Sequence, residues 1–175
     1  MISQRRSDWM IELAFLRAFL AWEVFLADSF VLYVAGHKPA RGRAPKRYTF
    51  PPSLKTAGEW LIPEHRQYAE WNDVSTVITR SERFFEHGRP YAEVLRNHRH
   101  ALSESKTIRN CIAHASSNAQ EKFEELVRDK IKTFPRNMTA GGFLSTTVPK
   151  SSPPQSFLEY YLDKVEVAAQ RIVPT

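Results

Sequence analysis

The chain has 175 residues, of which 42% are hydrophobic and 25% charged, so a single compact globular domain over residues 1–175 is expected rather than a disordered or fibrous protein. Lysine and arginine outnumber aspartate and glutamate by 25 to 19, and the resulting formal charge of +6 favours a polyanion as partner without distinguishing it from an ordinary basic surface. Cys111 is the only cysteine, which excludes an intrachain disulfide and a cysteine-based zinc site and fits a cytoplasmic location.

The first predicted element is a helix over residues 8–34, with Asp8 as its N-cap and Gly36 as its stop signal. Its apolar stretch is long enough to raise the question of a membrane span. Four charged residues interrupt that stretch: Glu12, Arg17, Glu23 and Asp28. We therefore interpret it as a buried helix of a bundle and expect no membrane segment.

Residues 37–52 contain four prolines and many basic side chains, a composition that predicts an irregular loop. The loop is either a solvated connector or an arm that contacts RNA. The basic residues that an arm would use are Arg41, Arg43, Lys46 and Arg47.

Helical signals return from Ser53, break at Pro63, and resume with a helix over residues 74–85 that Asp73 caps and Gly88 ends. Pro90 then suits the first turn of one long helix, which we expect to run from Tyr91 to about Ala115.

A capping box at Ser117–Gln120 predicts that the next helix runs to about Ile131. Residues 133–156 are rich in Pro, Gly, Ser and Thr and predict a long surface excursion with a short extended piece near 143–148. A last helix is expected over 157–173. The fold class predicted from these elements is all-α, an antiparallel helical bundle with long surface loops.

The long predicted helix has two faces. Its apolar face carries Leu102, Ser105, Ile108, Ile112 and Ala115. Its polar ridge, at steps of three and four residues, carries Arg96, His100, Ser103, Thr107, Asn110 and His114, and is flanked by Arg99, Lys106 and Arg109. The ridge is either a solvated helix face or a surface on which these basic and polar residues bind RNA.

The segment Arg109-Asn110-Cys111-Ile112-Ala113-His114 resembles the R-N-x-x-x-H motif of HEPN domains, which are helical ribonucleases of bacterial toxins and antiviral defence. The looser family pattern, an arginine followed after four to six residues by a histidine, also fits Arg80 and His87. Trp22-Glu23-x-Phe25 is similar to the W-E-x-F element of the RiboL-PSP-like subgroup, which suggests a supporting role for Glu23. The resemblance covers about residues 9–131 and the terminal helix.

The resemblance implies a metal-independent endoribonuclease without a cofactor, and a homodimer with the active site at its interface. His114 would act as general base or acid, Asn110 would orient it or the phosphate, and Arg109 would stabilise developing negative charge. Cleavage through the 2′-hydroxyl would leave a 2′,3′-cyclic phosphate and a 5′-hydroxyl, and DNA would be spared. A toxin or antiviral effector of this type would need control by an antitoxin or a sensor protein.

Two other functional classes remain open: a non-catalytic HEPN-like module that binds RNA, a nucleotide or a partner protein, and a structural dimerisation domain. A metallohydrolase is disfavoured because the six histidines are scattered without metal-ligand spacing. A glycine-rich phosphate loop is also missing, since Gly141-Gly142 has no accompanying lysine at the required spacing.

Overall fold

The computed structural model describes residues 3–65, 67–114 and 116–175, and within them it is 65% helical with no β-strand. The predicted all-α class is therefore confirmed. A 3-10 turn at Glu86–Gly88 accompanies the α-helices. The α-helices are α1 (Gln4–Ala35), α2 (Leu54–Trp60), α3 (Val74–Phe84), α4 (Tyr91–Asn97), α5 (Arg99–Ala113), α6 (Ser117–Ile131), α7 (Ala140–Ser145) and α8 (Phe157–Ile172).

The contacts divide the chain into two compact units. The first unit comprises Met1–Leu20 and His100–Val165, and the second comprises Ala21–Arg99 and Glu166–Thr175. Each is described separately below, and the single domain expected from the sequence stays a prediction.

Helix α1 starts earlier than predicted and ends where predicted. It begins at Gln4, so Asp8 lies inside the helix, where its carboxylate accepts hydrogen bonds from Gln4 Nε2 and Thr139 Oγ1, both at 2.8 Å, instead of capping the helix. At the other end the chain turns at Gly36 with φ +96°, and the guanidinium of Arg47 occupies the space that a Cβ there would need.

Among the described residues, α1 is also the one helix long and apolar enough to cross a membrane by length and composition alone. The buried core helix of a soluble protein passes the same test, so this property is weak evidence, and the expected absence of a membrane segment stays a prediction.

The core of the first unit is built from aromatic rings, with Phe143 at its centre. Its ring stacks on Phe157 at 4.4 Å between centroids and meets Phe123 edge-on at 5.9 Å. Phe143 is fully buried, as is its neighbour Leu144. Burial of one such side chain contributes roughly 1.5–3 kcal/mol, so this segment belongs to the fold rather than to a surface excursion.

The expectation for residues 133–156 is therefore wrong in its middle, where α7 replaces the surface excursion and the first part of the extended piece near 143–148. The second part is confirmed, because Thr146 is extended and Thr147 forms an isolated antiparallel bridge with Ser156. Thr139 Oγ1 caps α7 by accepting from Gly142 N at 2.9 Å. Gly141 lies so close to the carbonyl of Asp8 that no Cβ would fit between them. The glycines that suggested a loop instead allow α7 to pack closely against α1 within this unit.

The core of the second unit forms around Phe30 of α1. Its ring lies 4.8 Å from that of Tyr91 and 5.0 Å from that of Phe85, between centroids. The hydroxyl of Tyr91 donates to Ser29 Oγ at 3.0 Å, which satisfies a buried polar group. As predicted, Asp73 caps α3, because its carboxylate accepts from Thr76 N at 2.8 Å.

The single helix predicted from Tyr91 to about Ala115 is wrong, because it is interrupted at His98, whose φ of −107° and ψ of 11° end α4. Arg96 forms an ion pair with Glu82, and Arg99 Nη2 donates to Ser75 Oγ at 3.1 Å, so both arginines are directed toward α3. Arg96 and the ridge residues from His100 onward therefore belong to separate helices. The predicted end of the helix at Ala115 lies outside the described residues.

Candidate active site

The candidate site lies in the first unit, where α5 ends and α6 begins. His114 follows the last residue of α5 and its backbone N–H donates to the carbonyl of Asn110 at 3.0 Å, so the final turn of α5 fixes its position. Ser116 caps α6 by accepting from Ala119 N at 3.3 Å. The capping box predicted to start at Ser117 is therefore wrong by one residue. The histidine side chain is exposed at this junction.

The three predicted catalytic residues are brought together here. Arg109 Nη1 lies 3.3 Å from His114 Nε2 and 3.3 Å from Asn110 Oδ1. Because a guanidinium can only donate, Nε2 of His114 can hydrogen-bond to it only as an acceptor, in the tautomer that carries its proton on Nδ1. The arrangement places an imidazole nitrogen at the surface beside a permanent positive charge.

A hollow of about 330 Å³ opens next to His114 and is lined by positive and neutral polar groups. Lys106 and Thr107, two of the predicted RNA-binding residues, line it together with Asn110. No carboxylate contributes to its lining, so the charge of the lining side chains is positive and attracts an anion.

Sequence reasoning missed two residues of this hollow, Asn118 and Lys122, which come from the first turns of α6. They are four residues apart and therefore share one helix face. That spacing is a signal readable in the sequence, but only the α5–α6 junction shows that their face borders His114.

Cys111 lies within the motif, but its thiol is not suited to nucleophilic catalysis. Burial, together with the smaller effects of the nearby negative charges of Glu12 and Glu124, raises its pKa to about 11. The thiolate is the nucleophilic form, so at neutral pH this side chain stays protonated and unreactive.

The other residues predicted to bind RNA along this segment are separated by the break at His98. His100 is exposed on α5 in the first unit, whereas Arg96 and Arg99 belong to the second unit and contact α3. A role of these three residues in RNA binding stays a prediction.

The predicted basic arm is irregular, as expected, and two of its arginines line a separate hollow of about 210 Å³ in the second unit. Arg41 and Arg43 are joined there by Arg89 and Arg171, which sequence reasoning had not connected with the arm. No carboxylate is among the lining residues, so the four guanidinium groups make the hollow positive. One of them, that of Arg89, also forms an ion pair with Glu93 at 4.0 Å.

The remaining two basic residues of the arm have protein partners. Lys46 forms an exposed ion pair with Glu86 at 3.1 Å. Arg47 Nη1 donates to the carbonyl of Val34 at 2.7 Å, which binds the C-terminal end of α1. The position of Arg47 thus has a structural explanation.

The predicted supporting residue Glu23 is half-buried on the part of α1 that belongs to the second unit. Its neighbours in the W-E-x-F pattern have a packing role, since the rings of Trp22 and Phe25 stack at 5.6 Å and Trp22 is buried. The supporting role of Glu23 stays a prediction.

No protein-family model, curated protein or solved structure matches this chain at a significant level. In the described part of the chain, no group of three or more His, Cys, Asp or Glu side chains is placed to hold a metal ion.

Proposed function

We propose that this protein is a metal-independent endoribonuclease with a HEPN-like helical bundle and that Arg109, Asn110 and His114 form its active site. The observation that carries the proposal is the 3.3 Å contact between Arg109 Nη1 and His114 Nε2 at the edge of an open, positively charged hollow. An unprotonated imidazole nitrogen, a guanidinium and a phosphate-attracting cavity are the groups that cleavage through a ribose 2′-hydroxyl requires.

In the proposed reaction, His114 Nε2 accepts the proton of the 2′-hydroxyl while the 2′-oxygen attacks the adjacent phosphorus. The 2′-hydroxyl takes the place of Arg109 at Nε2, which leaves the guanidinium to donate to a non-bridging phosphate oxygen. Asn110 Oδ1 accepts from Arg109, so its amide nitrogen can donate to the phosphate. The bond from phosphorus to the 5′-oxygen breaks, giving a 2′,3′-cyclic phosphate and a 5′-hydroxyl.

The departing 5′-oxygen needs a proton, and one motif supplies one histidine. We therefore propose a homodimer in which His114 of a second copy acts as the acid. Each chain contributes its whole motif from the α5–α6 junction, so two junctions facing each other would complete the site. The lysines at the hollow, Lys106 and Lys122, would hold the RNA backbone by charge.

The cellular role that follows from this proposal is that of a toxin or antiviral effector in the cytoplasm, controlled by an antitoxin or a sensor protein. The expected phenotype is toxicity of the wild-type protein on expression and tolerance of His114→Ala.

The decisive experiment is gel analysis of end-labelled RNA incubated with wild-type protein, His114→Ala and the control His87→Ala, with EDTA present throughout. His87 is an exposed histidine in the second unit that also follows an arginine at the family spacing, so it controls for loss of any histidine. Wild type and His87→Ala are expected to leave cyclic phosphate ends, and His114→Ala to lose about 100-fold or more in rate. Equal cleavage by all three proteins would refute the assignment.

A second candidate function, a non-catalytic RNA-binding module, is favoured by the four-arginine hollow, which attracts phosphate without any group suited to proton transfer. This candidate predicts that wild type and His114→Ala bind RNA equally and that neither cleaves it.

A further inference from the structure

The second unit contains a hollow of about 430 Å³ between the end of α2 and one face of α3. Buried Leu61 and Phe84 contribute apolar surface to it, and the indole of Trp60, 45% exposed, lies at the end of α2. An exposed tryptophan beside an open apolar cavity offers a flat surface on which a planar aromatic ligand can stack.

The α3 face of this hollow is polar and positive. Hydroxyls of Ser75, Thr76 and Thr79 line it, and Arg83 stands one turn further along the helix. Ser75 and Arg83 are eight residues apart, which corresponds to about 12 Å along the helix axis. Arg83 is exposed and forms no ion pair among the described contacts, and no carboxylate lines the hollow.

Arg99 adds a second cation at the rim, because its Nη2 donates to Ser75 Oγ at 3.1 Å. Arg80 also lines the hollow but is already engaged: it donates to the carbonyl of Glu70 at 2.8 Å, and its guanidinium lies 4.4 Å from the ring centre of Trp71. The ligand charge complementary to this rim is negative, and Arg83, which lines the hollow, is the group placed to bind it.

A second hollow of about 740 Å³ adjoins the first and shares Trp60 and Arg83 with it. Glu59 and Glu64 line this second hollow, so a phosphate is disfavoured there. The hydroxyl oxygen of Thr49 also lies at its wall, buried and without a hydrogen-bond partner. Such orphaned buried groups are uncommon.

We propose that the α2–α3 hollow binds one nucleotide unit, with its base stacked on Trp60 and its phosphate bound by Arg83. The combination of an aromatic platform with cations is the one by which proteins hold single-stranded nucleic acids. The site goes beyond the cleavage reaction and does not depend on His114. The nucleotide can come from an RNA strand or be free in solution, and the experiment distinguishes the two sources.

The test measures the quenching of tryptophan fluorescence when adenosine monophosphate or a short 2′-O-methyl RNA strand is titrated into the full chain. The modified strand lacks a free 2′-hydroxyl, so failure of the proposed cleavage cannot affect the result. The variants are Trp60→Leu and Arg83→Gln. Their matched controls are Trp9→Leu, which removes a tryptophan 64% exposed in the first unit, and Arg5→Gln, which removes an exposed positive charge there.

We expect Arg83→Gln to weaken binding about tenfold and Trp60→Leu to abolish the quenching and weaken strand binding by a similar factor in fluorescence anisotropy. The two control variants should bind as wild type does. Quenching by both ligands indicates a site for a single nucleotide, and quenching by the strand alone indicates an RNA chain as the source. Quenching by neither, or equal affinity of all variants for the strand, would overturn the proposal.

Circular dichroism spectra and thermal unfolding of every variant test whether a loss of binding comes from a loss of folded protein. All four substituted side chains are exposed, so their replacement should leave the fold intact. If the controls lose as much affinity as Trp60→Leu and Arg83→Gln, the nucleotide binds elsewhere and the proposal fails.

Discussion

Two segments of this chain, Arg80 to His87 and Arg109 to His114, fit the same arginine–histidine spacing pattern. Their side chains differ in burial and in the contacts that they make. The guanidinium of Arg80 is buried, bonded to a backbone carbonyl and stacked on Trp71, while His87 lies in a 3-10 turn with φ 55°. Arg109 instead contacts His114 directly at an exposed helix end. A spacing therefore identifies a candidate, and the position of the helix end decides whether the two side chains meet.

The difference follows from where each helix stops. Helix α5 ends at Ala113, so His114 follows its last turn, and His114 Nε2 lies 3.3 Å from Arg109 Nη1. Helix α3 ends at Phe84, and the intervening turn separates His87 from Arg80. The first pair is available for chemistry, and the arginine of the second pair stabilises its unit.

The largest expected effect is on catalysis by the first pair. Arg109→Gln should lower the rate of RNA cleavage on the order of 100-fold, because a donor to the developing phosphate charge is lost. Single-turnover cleavage of end-labelled RNA in EDTA measures this rate, and thermal unfolding checks that the variant is folded. If Arg109→Gln cleaves RNA at the wild-type rate, the contact between Arg109 and His114 has no catalytic role.

Substitution of Arg80, the arginine of the second pair, should instead change the stability of the protein. Arg80→Gln removes a buried hydrogen bond and a cation–π contact and is expected to lower the free energy of unfolding by about 2 kcal/mol. Urea denaturation followed by circular dichroism measures the change. The cleavage rate per folded molecule should stay at the wild-type value, and a selective loss of activity would contradict the structural role given to Arg80.

A smaller effect is expected from the four-arginine hollow. If Arg171 contacts an RNA phosphate, Arg171→Gln should reduce the slope of log affinity against log salt concentration by about 0.7. Fluorescence anisotropy with a single-stranded RNA at several salt concentrations measures the slope. Lys150→Gln changes the net charge equally, so an identical change in this control would mean that only overall charge matters.

The smallest effect concerns Cys111, whose pKa is raised from a thiol's ordinary 9.0 to about 11. Between these pH values the unfolded chain loses the thiol proton while the folded chain retains it, so stability falls as pH rises from 9 to 11. Two pKa units correspond to about 2.7 kcal/mol as an upper bound, and the loss is smaller than this because the thiol is only half-buried. Urea denaturation across this pH range should show a weaker dependence for Cys111→Ala, whereas an unchanged dependence would contradict the assignment to this thiol.

Features set by neighbouring residues were predictable from the sequence. The cap at Asp73, the stop at Gly36 and the amphipathic pattern of residues 99–113 depend on a few adjacent side chains, and the structure agrees with each. That Asn110 precedes His114 by one helix turn was predictable for the same reason, whereas the contact between Arg109 and His114, five residues apart, also depends on where α5 ends.

Features that depend on distant partners were not predictable. Helix α7 forms because Phe143 fills a core made by other helices and Gly141 fits against Asp8, whereas its composition alone suggests a loop. No glycine or proline marks the break at His98, where Arg96 and Arg99 reach partners on α3. The contribution of Lys122 to the candidate site likewise needs the packing of α6 beside α5.

Hydrogen bonds anchor residues 37–52 and thereby lower the conformational entropy that the segment can lose on binding a ligand. Arg41 N donates to the carbonyl of Pro174 at 3.1 Å, Tyr48 N to that of Phe84 at 2.9 Å, and the guanidinium of Arg47 to that of Val34 at 2.7 Å. Hydrogen bonds thus hold the irregular segment at several residues, so the backbone at Arg41 and Arg43 is positioned before any ligand binds. An anion bound there would gain affinity from preorganisation, because little conformational entropy of the backbone remains to be lost.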